Sequence, residues 1–260
     1  MATSCTSVST SDTLTLHLDG PSSGAENMRR DTEFLQRCAR GDIAGAVRVY
    51  WFAPACLSLG RLQPATDVDM GACARDGVDV VRRPSGGRAV LHDGEVTYAV
   101  VCRVTDPDLG GGVLDACARI HAHVARGLAL LGVQTLPRAR GRGMRRDALE
   151  GAGVADCFAR PAAHELLDVG GQKLVGSAQA RLGGALLQHG SVMLDPPHAS
   201  SYLRNAVANG RGGGLRRAAG REVGREELAQ ALASGFARPL GDRLTRPLSE
   251  FGDSVRLTVQ

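Results

Sequence analysis

The chain has 260 residues, 43% hydrophobic and 22% charged, with a formal net charge of +4. That is enough chain to bury a sizeable core as one large or two small domains, and no run approaches the ~18 apolar residues of a membrane span. The first residues, MATSCTSVSTSDT, lack the basic and apolar regions of a signal peptide. The 7 cysteines are odd in number and show no CxxC spacing, which argues against a disulfide framework or a zinc site and fits a reducing cytoplasm. Basic clusters at 138–146 (RARGRGMRR) and 211–217 (RGGGLRR) do not interleave with the few aromatics, 5 Phe, 3 Tyr and 1 Trp. That argues against a base-stacking platform for nucleic acid, and the clusters read as solvated loops or a surface suited to an acidic protein partner.

In chain order, residues 1–20 read as a disordered tail and 21–260 as a single domain. ENMRRDTEFLQRCARG (26–41) carries apolar residues at helical spacing and ends in glycine, the pattern of a first helix. AVRVYWF (46–52) and CLSLGRL (56–62) read as strands parted by Pro54; VDVVRRP (78–84) is another, halted at Pro84, and EVTYAVVCRV (95–104) a buried one. GGVLDACARIHAHVARGLALLGV (111–133) is an amphipathic helix closed by glycine. The arginine- and glycine-rich stretch 137–153 has no periodicity and reads as a loop. ELLDV (165–169), QKLVGSAQAR (172–181) and ALLQHGSVML (185–194) read as a three-stranded meander joined at glycine pairs, followed by a last helix, REELAQALASGFA (225–237). Mixed order with antiparallel signals gives an α+β fold, a mixed or antiparallel sheet flanked by helices.

Three stretches carry chemistry. RRPSGGRAVLHDGEVTY (82–98) sets Ser85, Gly86 and Gly87 between two strands, where adjacent glycines let backbone amides approach a ligand and Arg82, Arg83 and Arg88 favour an anion or polarised carbonyl. It lacks the GxxxxGK[ST] of a P-loop. ADCFARPAAHEL (155–166) offers Cys157 in a loop, whereas Cys102 and Cys117 sit in strand and helix patterns that suit a small buried hydrophobe. LLQHGSVMLD (186–195) holds His189 and Gly190; the histidine could shuttle protons, but a structural hydrogen bond across the meander is the simpler reading. His121 and His123, two apart on a helix, point away from each other and chelate a metal poorly.

Lys173 is the single lysine beside 30 arginines. A guanidinium stays charged, whereas an ε-amine is a compact group whose pKa moves on burial, so it can act as base, counter-ion or nucleophile. Chance survival on a solvated strand face is the alternative. An ammonium near a thiol would favour the thiolate, although spacing alone does not bring Cys157 and Lys173 together.

Taken jointly and in order, RRPSGGRAVLHD, GQKLVGSAQ and LLQHGS resemble the catalytic domain of the biotin and lipoate protein ligases, on its lipoate-attaching branch, with a weaker echo in GAENMRRD. CFARPAAHEL is similar to the segment in which cysteine-dependent octanoyltransferases carry their acylated thiol. The resemblance implies that octanoyl passes from acyl carrier protein to Cys157 and then to a lysine of a lipoyl-accepting protein, the glycine-cleavage H protein or a dehydrogenase lipoyl domain. It places Lys173 beside the sulfur, and Arg83, Ser85, Gly86, Gly87, Arg88, His92, Gly176, Ala178, Gln179, His189 and Gly190 around the substrate, with no metal or ATP. Alternatives are an ATP-dependent lipoate ligase, which needs no thiol, an amidotransferase moving octanoyl between lipoyl domains through the same cysteine, and a silent subunit that binds a lipoyl domain.

Overall fold

The computed structural model describes residues 13–137, 165–195, 199–204 and 213–245. Its main sheet has the order β11-β1-β2-β6-β10-β9. The strands are β1 (Leu14–Ser22), β2 (Gly45–Phe52), β6 (Glu95–Arg103), β9 (Val175–Leu182), β10 (Ala185–Met193) and the short β11 (Leu244–Thr245). The first three in sheet order run parallel and the rest antiparallel, so the fold is α+β as expected.

β6 and β10 are central and buried along almost their whole length, which is why both read as continuous apolar runs. Helix α1 (Gly24–Arg40) covers one face of the sheet. Its start is set by Ser23, whose Oγ accepts from Glu26 N at 3.2 Å, and its end by Gly41 at φ 85°, a left-handed stop that glycine adopts without a Cβ penalty. Helices α3 (Val113–Leu130) and α5 (Arg225–Leu240) cover the other face. They meet at glycines: a Cβ on Gly235 would lie 2.6 Å from the Gly127 nitrogen, so neither position tolerates a side chain. A smaller sheet, β4 (Asp79–Arg82), β3 (Cys56–Leu59) and β5 (Val90–His92), lies alongside with α2 (Met70–Asp76).

Four expectations need correction. The tail expected over residues 1–20 becomes strand at Leu14, because alternating Leu14 and Leu16 bury completely or nearly so against β2. The expected meander is met in part: β9 and β10 form a hairpin, and β8 (Leu166–Asp168) folds back across the glycine pair onto residues 172–174, through the Leu167–Lys173 bridge and the bonds from Asp168 N to the Gln172 carbonyl (2.8 Å) and from Leu174 N to the Leu166 carbonyl (3.0 Å). Its ladder partner, however, is β7 (Thr135–Pro137), which the sequence reading did not foresee. The strand expected over 56–62 stops at Leu59, since Arg61 and Leu62 are exposed in a turn. Part of the 211–217 cluster is not a solvated loop, because α4 (Leu215–Ala219) begins there and Arg216 and Arg217 pair with Asp195 and Asp168. The 138–146 cluster and Cys157 lie outside the described residues.

Candidate active site

Side chains alternate along a strand, so residues at matching register across neighbouring strands share a face. Tyr50, Thr97, Ser191 and Gly176 form one such row across β2, β6, β10 and β9, and Arg48, Ala99, His189 and Ala178 form the next. Small residues at the β9 end and hydroxyls in the middle leave a cleft between this face, Met28 of α1 and the smaller sheet, which contributes Ser58, Val90 and His92. The cleft encloses about 360 Å³, part of it open to solvent.

Its polar walls are tied together. The Asp31 carboxylate accepts from Tyr50 Oη at 2.9 Å and from Arg48, and lies 2.9 Å from His189 Nδ1. Burial alone would raise the Asp31 pKa, but the Arg48 charge and the bonds from His189 and Tyr50 outweigh it and hold the carboxyl below its ordinary value. Burial, with Asp31 beside it, pushes Tyr50 well up. His92 stacks on Phe52 at 3.9 Å, with Nε2 2.8 Å from Ser58 Oγ and Nδ1 3.3 Å from Ser191 Oγ. Burial, then the charge of Arg83, depresses its pKa well below the usual imidazole value, so it stands neutral.

Arg83 organises the glycine loop. Its guanidinium donates to the Ser58 carbonyl (2.9 Å), Gly86 carbonyl (3.0 Å) and Arg88 carbonyl (2.5 Å). Ser85 Oγ lies 2.5 Å from His189 Nε2, and the Ser85 carbonyl accepts from Arg61 N at 2.8 Å. The histidine bond therefore joins the sheet to the loop and to α1 rather than crossing the hairpin.

Lys173 is 2% exposed, and its Nζ lies 2.7 Å from Glu165 Oε1, itself buried. The surface-charge reading of the lone lysine is thereby removed. Two residues further on, β9 begins, and with it the cleft wall at Gly176.

Of the residues named from sequence, Arg83, His92, Gly176, Ala178, His189 and Gly190 line the cleft. Ser85 joins it through His189, and Gly86, Gly87 and Arg88 occupy the loop that Arg83 anchors. Gln179 does not face it. Strand alternation turns Ser177 and Gln179 toward α3, where Gln179 Nε2 donates to Gln188 Oε1 and the Val113 carbonyl, both at 2.8 Å. His121 bonds Ser177 at 2.8 Å while His123 stacks on Phe236, so the two point apart as expected. Sequence reasoning missed Asp31 and Glu165 as partners, although both stand in family-like motifs, GAENMRRD and CFARPAAHEL.

The profile of the lipoyl protein ligase A/B catalytic domain matches residues 23–237. The chain belongs to that family. Among lipoyl protein ligase relatives, octanoyltransferase LipM of Kyrpidia tusciae is 40% identical over 244 residues, 86% of either chain. Octanoyltransferase LipM of Symbiobacterium thermophilum is 37% identical over 235 residues, 85% of this chain and 84% of its own. A solved lipoate-protein ligase A bound with ATP superposes with TM-score 0.70 at 21% identity, over 92% of this chain and 90% of that one, a likeness of fold.

Proposed function

We propose that this protein is an octanoyltransferase that takes octanoyl from acyl carrier protein onto Cys157 and delivers it to a lysine of a lipoyl-accepting protein. The observation that carries the reading is 36–40% identity, over most of both chains, to relatives that are octanoyltransferases.

The thiol inventory supports Cys157. Of the 7 cysteines, the five described ones are free, and burial raises every one of their pKa values, Cys117 to about 12. None of them is a thiolate near neutral pH, and the thiolate is the nucleophile. Cys157 is the remaining cysteine that lies within the matched family region.

In the first step the Cys157 thiolate forms a C–S bond to the acyl carbonyl while the carrier's thiolate leaves and takes a proton. In the second, the acceptor lysine's neutral amine forms the amide bond, the Cys157 thiolate leaves, and the amine's proton passes to a base. The two-step path keeps each attack on an activated thioester. The loop geometry suits oxyanion stabilisation: in a trans peptide the N–H points opposite the C=O, so carbonyls of Ser85 and Gly86 turned onto Arg61 and Arg83 leave the Gly86 and Gly87 amides facing away. Met28, Phe52 and Val90 give the cleft apolar surface for the alkyl chain, worth ~0.8 kcal/mol per buried methylene. The reading gives Lys173 the role of a compact charge that favours the Cys157 thiolate.

Intact-mass measurement after mixing with octanoyl acyl carrier protein, without ATP, tests the assignment. One hydroxylamine-labile octanoyl adduct, absent in Cys157→Ala, is expected. An adduct persisting in that variant overturns Cys157, and product formed only with ATP identifies a ligase.

A further inference from the structure

Asp31, His189 and Ser85 come from α1, β10 and the loop between β4 and β5, and meet as one hydrogen-bonded line. The contacts are 2.9 Å from Asp31 Oδ2 to His189 Nδ1 and 2.5 Å from His189 Nε2 to Ser85 Oγ. The three residues are 0%, 5% and 1% exposed, so water does not compete for these bonds.

We propose that Asp31 acts through His189 as a positioning residue for the Ser85–Gly86–Gly87 loop, fixing the imidazole tautomer whose bare Nε2 accepts the Ser85 hydroxyl. What the aligned loop is for rests on the acyl-transfer reading above; the alignment itself rests on geometry. A carboxylate accepts and never donates. Asp31, paired with buried Arg48, therefore takes its bond from Nδ1–H of His189. A neutral imidazole has one N–H, which leaves Nε2 as acceptor and directs the Ser85 proton toward it.

Ser85 is then held at two atoms, Oγ by His189 and the carbonyl by Arg61 N. The next residues have little room to shift. Arg83 holds the Gly86 and Arg88 carbonyls, Gly87 sits at φ 90°, and a Cβ on Gly60 would fall 1.9 Å from the Gly87 carbonyl oxygen. Loss of the serine anchor frees one side of a loop otherwise pinned on the other. Misplacement of a reacting or stabilising group by about 1 Å can cost ~10²-fold in rate.

The test uses the full chain. With ¹⁵N-histidine labelling, His189 should show a protonated Nδ1 and unprotonated Nε2 in the wild type. Asp31→Asn should lose that fixed tautomer. In octanoyl transfer, Ser85→Ala should lower kcat roughly 10- to 100-fold with KM for octanoyl carrier within about twofold, and Ser85→Thr should recover most of it. A proton on His189 Nε2 in the wild type, or wild-type kcat in Ser85→Ala, overturns the relay. If Asp31→Asn fails to fold because buried Arg48 keeps only Asp19 as an anionic partner, the wild-type tautomer and Ser85→Ala still decide. The tautomer is read without any acyl group, so failure of the relay and failure of the acyl-transfer reading are separately visible.

Discussion

Replacing Lys173 by methionine removes the ammonium and keeps most of the side-chain volume, so the cost is set by the pairing with Glu165. Nζ and Oε1 are 2.7 Å apart at positions 2% and 4% exposed. Breaking one half of a buried ion pair leaves the other charge desolvated, at ~3–5 kcal/mol, a large share of a domain's typical ~5–15 kcal/mol. Lys173→Met and Glu165→Gln should each lower urea stability at pH 7. The double variant leaves neither charge buried, so it should be less destabilised than the two effects added, by at least ~1.5 kcal/mol. Thiol chemistry gives a second readout. If the ammonium stabilises the Cys157 thiolate, the pH profile of alkylation moves up in Lys173→Met and down in Glu165→Gln. Lys173→Arg keeps a charge but places it on a larger planar fork, and should lose most transfer activity. Additive stability effects would refute the coupling. An unshifted alkylation profile with wild-type turnover would refute the role of the lysine at the site.

Other expectations rest on single contacts. Burial raises the Glu95 carboxyl from 4.5 to about 7, and its Oε2 has no hydrogen-bond partner. The folded state thus holds a proton that the unfolded state releases, so this group's favourable contribution is full below pH ~4.5 and falls away as pH rises through about 7. In urea titrations Glu95→Gln should flatten that decline and gain up to about 3 kcal/mol over wild type at pH 8; parallel profiles would refute it. Gly190→Ala puts a Cβ 2.4 Å from Ser177 Oγ and 2.7 Å from Tyr98 Oη, and should cost ~1–3 kcal/mol by thermal unfolding; a wild-type midpoint would show that the network gives way freely. Arg83→Lys replaces a fork serving Ser58, Gly86 and Arg88 by one ammonium, and should lower stability by about 2 kcal/mol, read by urea midpoint; unchanged stability would show that the loop is held elsewhere.

What the sequence revealed and what it hid divide along the length scale of the interactions. Helix α1 was legible because its signals are local, apolar spacing and Gly41 behind it, although its capping Ser23 was not singled out. β6 was legible because burial on both faces leaves a continuous apolar run. β1 was not, since Leu14 and Leu16 alternate with polar residues over too short a span, and its burial comes from pairing with β2 and from β11 at the far end of the chain. The second partner of β8 was missed for a related reason: the glycine turn shows the fold-back onto residues 172–174, while β7 lies about thirty residues earlier. The site divided in the same way. Motif residues that touch the cleft through their own strand, such as Gly176 and His189, stood out, whereas Gln179, one strand position from Ala178, faces α3 because register decides sides.

The polar contacts are the extreme case, because a buried polar group must find a partner wherever the fold supplies one. Asp31 and His189 are separated by 158 positions, and Ser85 and His189 by 104. No local pattern constrains such pairs; the requirement that each buried charge be compensated does. Arg48 at 1% exposure demands Asp31, and Lys173 at 2% demands Glu165. Lys173 sharpens the point, since its rarity among 30 arginines marked it for attention but only the fold could name its partner. An arginine there would need to fit a larger, five-donor planar fork into the buried space beside Glu165. The lone amine is thus explained first by the space and pairing available to it, and the proposed service to the Cys157 sulfur is an additional demand that the same compact charge can meet.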